Sequence, residues 1–145
     1  MGYLLPIALA AALVAGPLAA QPAKTPPAST SDSTPAVEQA SYCAALQTVL
    51  GVLLGQSSNP NPALQEKLKR STVRWLNHAN ADVDQSTPKG RVLVLDRYSA
   101  HSDALFQERV MGKMEAAAVR EAMNKDLAIC EQAERDTFGN SYKDL

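Results

Sequence analysis

Cys43 and Cys130 are the only two cysteines in the chain, and what they can be depends on where the chain folds. In a reducing cytosol they would be buried thiols, whereas outside it an even pair reads as one disulfide. The other end of the sequence speaks to the compartment. From Met1 to Ala20 there is no charged residue, and Leu4 to Ala19 is almost wholly Leu, Ile, Val and Ala. Small residues Ala19 and Ala20 precede Gln21, so residues 1–20 read as a secretory signal peptide cleaved after Ala20. An uncleaved anchor is the alternative, favoured by the lack of Lys or Arg before the apolar core and by Leu18. Against it, the core is short for a bilayer that needs about 20 apolar residues, and Pro6 and Pro17 interrupt it. Cleavage would leave no stable membrane span and a periplasmic or secreted protein. In that setting a Cys43–Cys130 bond would close a long loop, restricting the unfolded chain by an amount on the order of 4 kcal/mol.

Residues 21–36 carry Pro22, Pro26, Pro27 and Pro35 among Ala, Ser and Thr, with no apolar period. Such a stretch buries too little surface to offset its ordering entropy, and is expected to be a disordered linker. Residues 37–139 then read as one helical domain. The spacing of Cys43, Leu46, Leu50 and Leu53 predicts a first helix ending at Gly55. Asn61-Pro62 and Thr87-Pro88 are each a cap residue followed by a proline suited to a first helical turn. The second helix follows Leu64, Leu68, Thr72, Trp75 and Ala79. For the third, Val92-Leu93-Val94-Leu95 could form a strand, but no second apolar run exists to pair with it. A helix with Val92, Leu95, Tyr98, Leu105 and Phe106 inward is therefore expected, with a break near His101-Ser102 as an alternative. The fourth helix follows Met114, Ala118, Met123, Leu127, Cys130 and Ala133, and Gly112 marks either a turn before it or a bend within one long helix. Residues 140–145 are expected to be a tail. The fold expected is thus all-α, a small antiparallel bundle of about four helices closed by one disulfide. Cys43 near the start of helix 1 and Cys130 late in helix 4 fall at the same end of such a bundle.

Few residues point to chemistry. The two cysteines lack the C-x-x-C spacing of a redox pair. His101-Ser102-Asp103 contains the residue types of a hydrolytic triad, but adjacent helical positions diverge by about 100° and cannot hydrogen-bond in series. His78 and His101 are the only imidazoles, and neither an H-x-x-x-H nor a Cys/His cluster is present. Met111, Met114 and Met123 could offer thioethers to copper, yet Met at this spacing is more often a core filler. No metal site, cofactor or catalytic residue is assigned. With 14 basic and 15 acidic residues interspersed, nothing resembles the basic stripe of a nucleic-acid binder.

Gly51 and Gly55 form a G-x-x-x-G pair that continues Ala44 and Thr48 as a small-residue stripe. Such a stripe permits close helix approach, either within the bundle or at a self-association face. Trp75 could belong to the core or anchor an interface. Gly51, Gly55 and Trp75 are accordingly the candidate interaction face. No motif of a named family is present. The leading expectation is a non-enzymatic interaction protein of the bacterial periplasm, its partner another envelope protein or a second copy of itself. The alternatives are a carrier of a small apolar ligand or metal in the bundle core, and an enzyme without a recognisable motif.

Overall fold

The computed structural model describes residues 33–145. The segment expected to be a signal peptide and most of the expected linker lie outside the described residues. Within them every element is helical: α1 Pro35–Gly55, α2 Pro62–Ala81, α3 Pro88–Arg109, α4 Ala116–Phe138, and a short 3-10 turn Tyr142–Asp144. Three of the four long helices begin in the same way. Thr34, Asn61 and Thr87 each turn a side-chain oxygen back onto an amide of the first turn, and a proline follows each cap. Because Thr34 caps, Pro35 and Ala36 belong to α1 and not to the linker.

α1 is the hub, packed by α2 and α3 along much of its length and by α4 over a shorter stretch. Its sequence explains this. From Ala40 to Val49 every position but Tyr42 and Thr48 is buried, including Ala40, Ala44, Ala45 and Leu46. A helix apolar on all sides needs neighbours on all sides. By length and composition α1 could also cross a membrane, but half of its apolar window is buried inside the protein, as in the central helix of a bundle.

The Cys43–Cys130 disulfide is formed and ties α1 to α4, completing a small antiparallel helical bundle. A disulfide and an apolar N-terminal helix together are consistent with an exported protein. α3 runs unbroken through His101-Ser102-Asp103, and the connection between α3 and α4 falls at residues 110–115, around Gly112.

Two expectations need correction. The first concerns the facing of α3, where Val92 and Leu95 are 47% and 60% exposed and Phe106 is also on the surface. The inward positions are Gly90, Val94 and Leu105, with Arg97, Tyr98 and His101 half-buried between them. An apolar run with no polar gap cannot set its own rotation. Here polar and steric contacts set it: a Cβ at Gly90 would overlap the Asp84 carbonyl, Tyr98 bonds Thr48, and Arg97 and His101 reach Glu38 on α1. The second concerns residues 140–145, which are no free tail. Gly139 takes φ +78°, a left-handed cap suited to glycine, and turns the chain back. Ser141 and Tyr142 are then buried against the bundle.

Candidate functional site

The deepest polar feature is one carboxylate. Glu134 on α4 follows Cys130 by one helical turn and is fully buried. Its Oε1 accepts hydrogen bonds from Gln47 Nε2 at 2.6 Å, from the Trp75 indole N–H at 3.1 Å, and from the Ser71 hydroxyl. Its Oε2 accepts the Tyr142 amide, with an Arg74 guanidinium nitrogen 3.6 Å away. One side chain thereby joins α1, α2, α4 and the C-terminal turn. Burying a charge is costly unless it is paired and hydrogen-bonded, and here both conditions are met. The sequence signal for this network is a polar residue where a core stripe calls for an apolar one. Gln47 is one turn from Cys43, Ser71 lies between Leu68 and Trp75, and Glu134 extends Leu127 and Cys130.

Trp75 is only 1% exposed, so it does not belong to a surface interaction face. Its ring packs edge-on against Phe138 and His78 while its N–H is used by Glu134. The large apolar body needed burial, and the network supplied the one acceptor its nitrogen required.

Gly51 and Gly55 are placed differently. They lie on the side of α1 that borders α2, where a groove of about 580 Å3 opens between α1, α2 and Tyr98 of α3. A Cβ at Gly51 would meet nothing within 4 Å, so the stripe is not used for close packing there. Gly55 faces the Gln65 side chain, whose Nε2 donates to the Gly51 carbonyl at 3.0 Å. Val52 on one lip and Val73 on the other are 44% and 52% exposed. Leu68 and Gln47 are the most buried residues of the lining, and Lys69 stands exposed among the residues that border the groove.

Among the buried and half-buried hydroxyl and amide groups beside the groove, most are hydrogen-bonded. Tyr98 donates its hydroxyl to Thr48 Oγ1 at 3.0 Å, and Thr48 donates to the Ala44 carbonyl at 3.0 Å. Thr72 also donates to Ala44 at 3.4 Å. Gln47 Oε1 is the exception: it is buried and accepts no hydrogen bond among the described residues. A buried acceptor left in this state costs about 1–3 kcal/mol.

Other titratable groups are elsewhere. His101 lies 3.0 Å from Glu38, and Arg97 lies 3.1 Å from the same carboxylate. Burial pushes the Glu38 carboxyl up, but hydrogen bonds from Ser33 and His101 and the charge of Arg97 outweigh it and hold the pKa below the ordinary 4.5. Across α1, burial and the neighbouring Asp126 push the Tyr42 hydroxyl up to about 12. Ser102 and Asp103 do not join His101: Ser102 Oγ is buried without a partner among the described residues, and Asp103 is exposed. Met111 and Met114 are exposed while Met123 is in the core, so the three thioethers do not converge. Among the described residues no three His, Cys, Asp or Glu side chains gather closely enough to hold a metal. A second hollow of about 630 Å3 lies on α4 beside Gln39, with Ile129 exposed in it. None of the buried polar atoms lacking a partner belongs to its lining.

The site is therefore a largely apolar groove that backs onto the buried Gln47–Glu134 network, on a disulfide-closed helical bundle. No protein-family description, curated protein or solved structure matches this chain.

Proposed function

We propose that this chain is an exported binding protein of the bacterial periplasm, without catalysis of its own, and that the groove between α1 and α2 holds a small apolar ligand. The observation that carries this reading is the groove itself. It is built on Gly51, where helix packing leaves space open, and its volume of about 580 Å3 falls within the range of small-molecule pockets. Val52, Leu68 and Val73 supply an apolar lining, and paired hydroxyls hold Tyr98 against α1. Bundles commonly build ligand sites between facing helices.

Native mass spectrometry tests the reading on protein expressed from the full sequence in an exporting bacterium and purified without reductant. The expected species begins at Gln21, is two hydrogens lighter than its reduced form, and carries an added mass that denaturation releases. A bare polypeptide under native conditions would count against the carrier role. A full-length species would count against export with cleavage.

The exposed side chains of Val52 and Val73 favour a second reading, in which another exported protein or a second copy of this chain docks across the groove. A stable self-complex would appear in sedimentation as a dimer that Val73→Asp disperses. A monomer at every concentration removes that version.

A further inference from the structure

We propose that the ligand of the groove is an apolar carboxylate, a single-chain amphiphile whose tail lies along Gly51 and whose anionic head is met by Lys69. The inference rests on the groove being a ligand site and names the chemical class that the site takes.

α1 and α2 meet at one short connection, and this gives the groove a direction. Gly55, Gln56 and Gln65 lie at the end next to that connection. On the α2 side Gln65, Lys69 and Val73 follow at single-turn spacing, so the lining passes from amide to ammonium to apolar within two turns. At the apolar end, Thr48 and Thr72 donate their hydroxyls to the Ala44 carbonyl and Tyr98 donates to Thr48, so those hydrogens are not offered to a ligand. Toward the connection the reverse holds. Lys69 and Gln56 are both exposed, and Lys69 makes no hydrogen bond or ion pair among the described residues. Its acidic neighbour on α2, Glu66, is taken by Arg70 at 3.3 Å and lies outside the lining. Among the described residues no Asp or Glu lines the groove, and Lys69 is its only charged side chain. A cation with no anion to answer it, on the lip of an apolar trough, complements a ligand with one negative charge and an apolar body. A carboxylate supplies acceptors for the Lys69 ammonium and the Gln56 amide, whereas a cationic amphiphile would be repelled. From Thr48 to Gln56 the α1 wall runs about 12 Å at the helical rise, which suits an extended medium-length alkyl chain. Because Lys69 stands at the rim, its charge gives selectivity more than affinity.

The test uses the disulfide-intact full chain and three probes that share one tail, octanoate, octanol and octylammonium, each kept below the concentration at which it aggregates. Titrations are followed by backbone amide NMR shifts, which locate the site without any variant. Octanoate is expected to shift Gly51, Val52, Gln65 and Lys69 and to bind at least about threefold tighter than octanol, with octylammonium weakest. Lys69→Gln should erase the octanoate advantage and leave octanol unchanged, while Lys69→Arg should retain it. Raising the salt should shrink the same advantage. Gly51→Leu places a side chain into open space and improves helix propensity, so it is expected to keep the helical spectrum while weakening every probe at least about tenfold. Octanol or octylammonium binding as tightly as octanoate and blocked by Gly51→Leu, or an octanoate advantage that survives Lys69→Gln, would leave the groove as a ligand site and overturn the recognition of an anionic head by Lys69. Absence of shifts at millimolar probe, or shifts that Gly51→Leu does not diminish, would overturn the groove reading and the inference with it.

Discussion

A carboxylate shielded from solvent must be held by what surrounds it, and Glu134 is held by donors from three separate parts of the chain. Replacing it with alanine would strand the Gln47 amide, the Ser71 hydroxyl, the Trp75 indole and the Tyr142 amide, and remove the carboxylate paired with Arg74. Breaking a buried pair from one side typically costs roughly 3–5 kcal/mol. Glu134→Ala is therefore expected to lose about that much in denaturant unfolding, while Glu121→Ala on the exposed face should change little. An equal effect at both positions would show that the network is not what holds the interior. Glu38 gives a different kind of dependence. Its folded pKa lies below 4.5, so the carboxylate contributes stability above that value, and the contribution disappears as pH falls from about 4.5 through the lowered folded value. Between pH 6 and pH 3, Glu38→Gln should lose less of its thermal stability than the parent chain. Parallel loss in both would remove Glu38 as a contributor. These residues show where reading the sequence stops: Gln47, Ser71 and Glu134 sit in the core stripes, and the periodicity that defines those stripes passes over them. A one-dimensional pattern cannot tell that three polar residues on three helices meet.

For the helices as units, starts were more legible than facings. Asn61-Pro62 and Thr87-Pro88 mark α2 and α3 to the residue, because cap and proline act locally. The small-residue stripe of Gly51 and Gly55 was equally visible, but whether it would be covered or open depended on where α2 lay. The rotation of α3 depended on Glu38 and Thr48 of another helix, which an apolar run cannot report. α4 lacks the device that its siblings share: Glu115 occupies the cap position and makes no side-chain cap hydrogen bond. Glu115→Asp is expected to raise stability by about 0.5–1 kcal/mol, seen as a higher unfolding midpoint and slower amide exchange over the first turn of α4. A decrease would mean that Glu115 has a role beyond the cap.

As a whole molecule, the protein is a tight group of α1, α2 and α3 with α4 attached through a shorter contact, the Glu134 network and one covalent bond. Reduction of Cys43–Cys130 should lower stability by an amount on the order of 4 kcal/mol. The loss should not be spread evenly. Hydrogen exchange on the reduced protein is expected to release α4 amides first while α1 and α2 remain protected. Uniform loss across the four helices would show that α4 is not a separable layer. The same bond has a mechanical side. With Cys43 and Cys130 linked, the intervening chain forms a closed ring, so a pull applied at Ser33 and Leu145 passes across the sulfurs and bypasses α2 and α3. Only the stretches outside the ring can pay out, about 25 residues at about 3.5 Å each, or roughly 90 Å. Strung between two attachments, the oxidised protein is a short tether with a knot that does not undo, and a reductant converts it into a rope several times longer.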